Sequence, residues 1–385
     1  MRVDGMVRQL VDGCSPVVHA NRLAAVVKMV EGIIRADRLV PATIGRNLPG
    51  RANPKHGIKS VDRLLGNPHM VSDRRAIFQS LAERLLAGGP RPLVLVDWTQ
   101  SGGTHEALVA AVPVGGRALP VYLEVHPLKK LGNAAVERKF LTALKAVLPQ
   151  ECAPIVVSDA GFKGPFFQTV LKLGWDFLGR VRGTAKAIAS DGSTIAKEEF
   201  YSRASTTPID LGLHGLFVEQ RIPCRLVLVR KRRKPGRKPA PPKSKEEREL
   251  RQSALDPWLL ATSLSDGEAS YVVALYAKRM QIEETFRDAK SHRFGWSLGD
   301  VRLSTHHRVA ALLVLAALAL VVVTLIGMGA ERRGTHRAYQ ANTRERRVLS
   351  FFSLACAIIS RRGVKRFSEA DFRWSLGAIP RQANA

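Results

Sequence analysis

Residues 309–328, VAALLVLAALALVVVTLIGM, run for 20 positions without a charged side chain. Such a segment leaves a chain two options. As a helix it is long enough to cross the hydrocarbon core of a bilayer. It equally suits a helix sheathed on every side by a large protein core. His306, His307 and Arg308 precede it, and Glu331, Arg332 and Arg333 follow it. Basic groups at both ends carry no inside–outside asymmetry. It is the one segment of its kind in a strongly basic sequence, which favours the core helix. The expectation is a soluble protein wrapped around this helix, with no membrane partner.

A core of that size is available. The chain has 385 residues, 45% of them apolar, enough for two or three domains and incompatible with wholesale disorder. Lys and Arg number 60 against 33 Asp and Glu, giving a formal net charge of +27. A surplus that large points to a polyanionic partner, nucleic acid before anionic membrane. Cys14, Cys152, Cys224 and Cys356 stand far apart with no CxxC pair. They spell neither a zinc site nor a disulfide framework, so a reduced, cytoplasmic setting is expected. The N-terminus lacks the basic-then-apolar pattern of a secretory signal.

Residues 1–90 read as a small helical region with basic connections, suited to a DNA-binding module. An amphipathic helix over 16–40 puts Leu23, Val26, Val27, Val30, Ile33 and Ile34 on one stripe. A loop over 45–57 follows, then a short helix near 58–66 stopped by Gly66-Asn67-Pro68. A further helix over 72–87 takes Ser72 or Asp73 as its cap. At residue 91 the periodicity changes. RPLVLVDW, HEALVAAVPV and RALPVYLEV read as a three-strand meander and AAVERKFLTALKAVL as a helix. PIVVSDAGF is then a buried strand, GPFFQTVLKLG a helix and WDFLGRVRG a strand.

Three strands, helix, strand, helix, strand is the order of the ribonuclease-H-like fold, in which the ends of the first and fourth strands are neighbours. Asp97 and Asp159 stand at those two ends. The predicted fold class is α/β: a ribonuclease-H-like catalytic core over 91–184 and 258–330, interrupted by a mainly β insertion over 185–257. Helical regions flank it at 1–90 and at 331–385, the second strongly basic. The insertion carries RKRRKPGRKPAPPKSK at 230–245. Its cluster Arg230, Lys231, Arg232, Arg233 and Lys234 attracts phosphates without reading base sequence.

Residues 271–295, YVVALYAKRMQIEETFRDAKSHRFG, are rich in helix formers and read as one helix. At roughly 100° per residue, Tyr276, Arg279, Glu283 and Lys290 then fall within a wedge of about 60°. One carboxylate between two cations and a phenol suits a phosphodiester, because the carboxylate can hold a metal and the cations can hold phosphate oxygens. A solvated helix stitched by charge pairs would carry similar residues. The two strand-end aspartates favour the first reading, since their site needs a third carboxylate from a later helix, and Glu283 qualifies.

Several segments carry a resemblance. They are Asp97-Trp98-Thr99, IVVSDAGF, LGRVRG, PWLLATSL, YAKRMQIEETFRDAK and YQANT at 339–343. They resemble bacterial DDE transposases of the insertion-sequence-four family, and within it the branch of insertion sequence ten. The resemblance spans residues 55–350, with KHGIKSVDRLLGNPH near its start. It implies a cut-and-paste enzyme that binds the terminal inverted repeats of double-stranded DNA as a homodimer, with residues 1–90 as a helical DNA-end-binding region. Such an enzyme cleaves both strands through a hairpin and joins the 3′-OH ends to target DNA. The resemblance implies that Asp97, Asp159 and Glu283 hold two Mg²⁺ ions, with Mn²⁺ able to substitute. Glu284 competes for the third role but lies on a different helix face from Tyr276, Arg279 and Lys290. Those three would contact phosphates at the element's end, together with Arg180, whose strand face Arg182 shares. Trp258 would stack on a flipped base, unless it is an ordinary core tryptophan. A cytoplasmic, nucleoid-associated enzyme follows. A ribonuclease-H-like nuclease that cuts without joining, or an inactive DNA-binding relative, would share these residues.

Overall fold

The computed structural model describes residues 1–183, 185–219, 221–231, 241, 244, 248, 255–293, 295–363 and 367–384. In chain order the helices are α1 (Val3–Leu10), α2 (Ala20–Ala36), α3 (Pro41–Arg46), α4 (Pro54–Leu65), α5 (His69–Leu86), α6 (Ala134–Lys145), α7 (Gly164–Lys172) and α8 (Lys197–Ser202). They continue with α9 (Ala269–Ala277), α10 (Met280–Lys290), α11 (His306–Arg332), α12 (Phe351–Arg362) and α13 (Glu369–Ala383). The strands are β1 (Leu93–Gln100), β2 (His105–Val114), β3 (Arg117–Pro127), β4 (Ile155–Ser158), β5 (Asp176–Val181), β6 (Ala187–Ile188), β7 (Thr194–Ile195), β8 (Ile209–Leu216), β9 (Ile222–Val229) and β10 (Trp258–Thr262). The chain divides into two compact units, Met1–Pro154 with Met280–Ala385, and Ile155–Arg279.

In the first unit α11 is the packing centre. Every residue from Val309 to Ala330 is buried, so the uncharged stretch faces protein all round its circumference. α1, α2, α4, α5, α12, α13 and β3 pack on it. A helix with no polar face needs such a sheath, because each exposed Å² of apolar surface would cost roughly 25 cal/mol. Gly327 lets α12 approach: a Cβ there would lie 2.2 Å from the Phe351 carbonyl oxygen. β1, β2 and β3 form the expected antiparallel meander, with Asp97 opposite Val109 and Val109 opposite Leu123.

The helical N-terminal region differs in detail from expectation. Proline at the first helical position is pre-set for helix, and Pro41 and Pro54 start α3 and α4 inside or beside the stretch read as loop. Asn53 caps α4 by accepting from the Lys55 amide at 3.1 Å. Asp73 is no cap. α5 begins at His69, and Asp73 lies buried within it, where both carboxylate oxygens take the Arg22 guanidinium (Nη2 to Oδ1, 3.1 Å) and tie α2 to α5. A local propensity lost here to a tertiary ion pair.

In the second unit β4 and β5 are parallel, joined through α7. β10 pairs antiparallel with β5 on one side and β9 on the other. β9, β8, β6 and β7 continue outward. The strands of 185–257 therefore extend the sheet that holds β4 and β5. Antiparallel partners at β10 explain why the chain can leave for so long and return in register: the backbone ladder of β5 needs a neighbour, and PWLLATSL supplies it.

Leu318→Ala is expected to lower unfolding free energy by about 2–5 kcal/mol, and Gly327→Ala by about 1–3 kcal/mol through overpacking, both read from denaturant midpoints. The wild-type protein is expected to leave membranes completely on a high-salt wash. The wash removes adhesion due to net positive charge; retention after it would overturn the core-helix reading.

Candidate active site

The acidic strand end of the first unit is built by β1. Leu93–Val96 are wholly buried, and Asp97 is half-buried where the strand leaves the core. The next residue is pinned: Trp98 Nε1 donates to Glu137 Oε1 on α6 at 3.1 Å. On β2, Glu106 is buried opposite Gln100. Lys290, the last residue of α10, belongs with these two acids. Burial pushes its ammonium below the usual lysine range, while the Glu106 and Asp97 carboxylates hold it up. Burial likewise raises the Glu106 carboxyl, against the pull of Lys290.

Three residues of α10 hold it to β3 and the turn before that strand. The Ala118 amide donates to Thr285 Oγ1 at 2.7 Å, the Gly116 amide donates to Gln281 Oε1 at 3.2 Å, and Arg117 Nε reaches Asp288 Oδ2 at 2.6 Å. Gln281, Thr285 and Asp288 share one helix face; Glu283 and Lys290, about 20° apart, share the roughly opposite one. The anchoring residues thus fix how Glu283 is presented. Glu284 carries Arg287 Nη1 on its Oε2 at 2.8 Å.

The second unit holds the other candidates. Asp159 follows β4 directly, half-buried, and its Oδ1 accepts the Gly161 amide at 2.8 Å in an Asx turn. Arg180 on β5 donates Nη2 to the carbonyls of Asp256 (3.1 Å) and Pro257 (3.3 Å). Burial, then the neighbouring Arg182 guanidinium, pull Arg180 below the usual arginine range. Tyr276 is 3% exposed. Burial raises its phenol, opposed by Arg279 and Arg180 and reinforced by Asp159. Trp258, on β10, is buried edge-on against Tyr276, ring centroids 4.8 Å apart, and the Lys231 ammonium sits 3.7 Å above its ring. Arg230 caps the end of α8, donating to the carbonyls of Tyr201 (3.3 Å) and Ala204 (3.4 Å). Arg232, Arg233 and Lys234 lie outside the described residues.

One expectation is corrected. Residues 271–295 are not a single helix. At Lys278 and Arg279 the amides bond three residues back, to the Leu275 and Tyr276 carbonyls at 3.1 and 3.0 Å, instead of four. That tighter turn ends α9, and α10 restarts at Met280. Tyr276 is therefore in α9, Arg279 in the turn after it, and Glu283 and Lys290 in α10, so the steady step of roughly 100° behind the wedge of about 60° does not run unbroken through all four. Sequence reasoning also missed Glu106, whose only signal is an acid inside an otherwise apolar strand, and Tyr201, whose signal is weaker still.

The family model described as transposase DDE domain matches residues 90–322, more than half of the chain. This chain belongs to the DDE transposases. No curated protein matches it. Membership carries a ribonuclease-H-like fold, a DNA substrate and a general dependence on divalent metal ions. Among the described residues no group of three His, Cys, Asp or Glu side chains stands ready to hold an ion. The candidate donors fit in chemistry all the same, since Asp97, Asp159 and Glu283 offer only carboxylate oxygen, the ligand of hard cations.

Thr285→Val is expected to cost about 1–3 kcal/mol, because it strands the buried Ala118 amide without its acceptor. Urea unfolding measures the loss, and DNA cleavage should fall with it as α10 loosens on β3.

Proposed function

We propose that this DDE transposase is a cut-and-paste enzyme of the insertion-sequence-four family. It would bind the inverted repeats at the ends of its element as a homodimer, cut both strands and join the freed 3′-OH ends to target DNA. The observation that carries the reading is the transposase DDE match, whose span includes Asp97, Asp159, Glu283 and all of Tyr276, Arg279 and Lys290. The net charge of +27 supports a polyanionic substrate.

Asp97, Asp159 and Glu283 would hold two Mg²⁺ ions, with Mn²⁺ able to substitute. Bound metal supplies activation of the attacking oxygen and stabilisation of the departing one in an in-line displacement. The chain's own part is grip and placement. Arg180, Arg279 and Lys290 offer guanidinium and ammonium donors to phosphate oxygens, and Tyr276 offers a phenol. Burial strengthens each such contact because the donors are already stripped of water. Holding the cleaved end in place lets its 3′-OH serve as nucleophile, first on the opposite strand and then on target DNA. No covalent protein–DNA link is needed, so no Ser, Cys or Tyr nucleophile is assigned. Residues 1–90 would grip the end sequence, and Trp258 would offer a ring to a displaced base once Lys231 moves from its face.

In Mg²⁺, Asp97→Ala, Asp159→Ala and Glu283→Ala are each expected to lose cleavage below detection while binding a duplex selected by the wild type from a random pool within a few-fold. Glu284→Gln should keep cutting. Full activity in any of the first three removes that residue from the site.

A precleaved end with a 3′-OH, offered with supercoiled plasmid, is expected to yield covalent joints that a 3′-dideoxy end does not. Efficient cutting without joints would make the protein a nuclease.

A further inference from the structure

We infer that Tyr201 is a DNA-phosphate ligand acting beside Arg180, a contact outside the Tyr276, Arg279, Glu283 and Lys290 set; the inference rests on the transposase reading above. Tyr201 sits near the end of α8 in the second unit, half-buried. Its hydroxyl oxygen is fully buried with no hydrogen-bond partner, and so is Arg180 Nε. The rest of Arg180 is not adrift: its Nη2 is fixed by the Asp256 and Pro257 carbonyls. Tyr201, Arg180, Arg182 and Asp256 lie within electrostatic reach of one another.

Buried polar groups are normally satisfied, so two orphans in one neighbourhood call for a cause. Arg180 Nε–H can only donate, and the Tyr201 hydroxyl can donate as well as accept, so one acceptor would satisfy both. Beside them Arg182 adds positive charge; burial, then Asp256 and more weakly Glu198, raise the Tyr201 phenol, and the half-buried Arg180 and Arg182 guanidiniums oppose that rise. The missing group is therefore an acceptor, and an anionic one. A phosphodiester oxygen meets both conditions, whereas a base edge would present donors as well as acceptors. The backbone of Tyr201 is itself steadied, since its carbonyl accepts Arg230 Nη2 at 3.3 Å. On this view Arg230 contributes to the site by holding α8 and not by touching DNA.

The experiment compares full-length wild type with Tyr201→Phe and Arg180→Gln, using a duplex selected by the wild type from a random pool. Tyr201→Phe is expected to bind about tenfold more weakly, the worth of one hydrogen bond to a charged group. Its salt dependence should match the wild type, because a neutral hydroxyl releases no counterion. Arg180→Gln should weaken binding and flatten the salt slope by about one. The double variant should lose less than the sum, since both side chains serve one phosphate. DNA-free Tyr201→Phe should melt at the wild-type temperature or higher, because the removed hydroxyl had no partner. Wild-type affinity in Tyr201→Phe overturns the inference while leaving the transposase reading intact. A drop in DNA-free melting temperature also overturns it, because the hydroxyl would then serve the fold. Wild-type protein that selects no duplex sinks the transposase reading and this inference with it.

Discussion

The first unit depends on hiding α11. Twenty-two consecutive buried residues, Val309–Ala330, impose a sheath, and the sheath recruits elements from both ends of the chain: α1, α2, α4 and α5 from before β1, α12 and α13 from beyond. That is why residues 1–154 and 280–385 form one compact unit although 125 residues of chain separate them. Removing apolar surface from water needs no particular partner, only coverage. The particular partners are chosen by close approach, as where Gly327 admits the backbone of Phe351, and by buried polar pairing, as between Arg22 and Asp73.

That same unit gives α10 its firm seat. Thr285, Gln281 and Asp288 spend one face of the helix on β3. Glu283 and Lys290 lie on the roughly opposite face. A helix with one face committed to backbone amides and an ion pair presents its remaining side chains rigidly, and rigid presentation is what catalysis of phosphoryl transfer demands of a carboxylate. Lys290 shows the cost of the arrangement: burial weakens its hold on a proton, and the acids Glu106 and Asp97 offset that loss.

The second unit collects cations. Arg180, Arg182 and Arg279 gather with Tyr276 and Tyr201 around a sheet whose apolar strands leave little water near them. Like charges buried together raise the free energy of the empty protein, and an anion relieves it. A DDE transposase has such an anion in every phosphodiester it handles. Arg230 and Lys231, by contrast, are already committed, one to the carbonyls at the end of α8 and the other to the ring of Trp258.

Much of this was legible in the amino-acid order. Apolar, β-branched runs broken by turn residues marked β1–β3, continuous apolar runs marked β4 and β10, and an uncharged 20-residue stretch marked a core helix, because these patterns follow directly from strand and helix geometry. Asp159 was visible as the acid just past an apolar strand, and Asp97 as the acid closing the apolar part of β1, although that strand runs on to Gln100. Three things were decided only by tertiary structure. Asp73 lies inside α5, where it pairs with Arg22 of α2 in place of capping a helix, a partner that only the packing of α2 on α5 supplies. The helix expected over 271–295 broke at Lys278–Arg279, which propensity could not foretell, since every residue there tolerates an α-helix and only packing selects the tighter turn. The grouping of Tyr201 with Arg180 joins α8 to β5 and cannot be read along the chain, because spacing in sequence reports faces of one element and never the meeting of two.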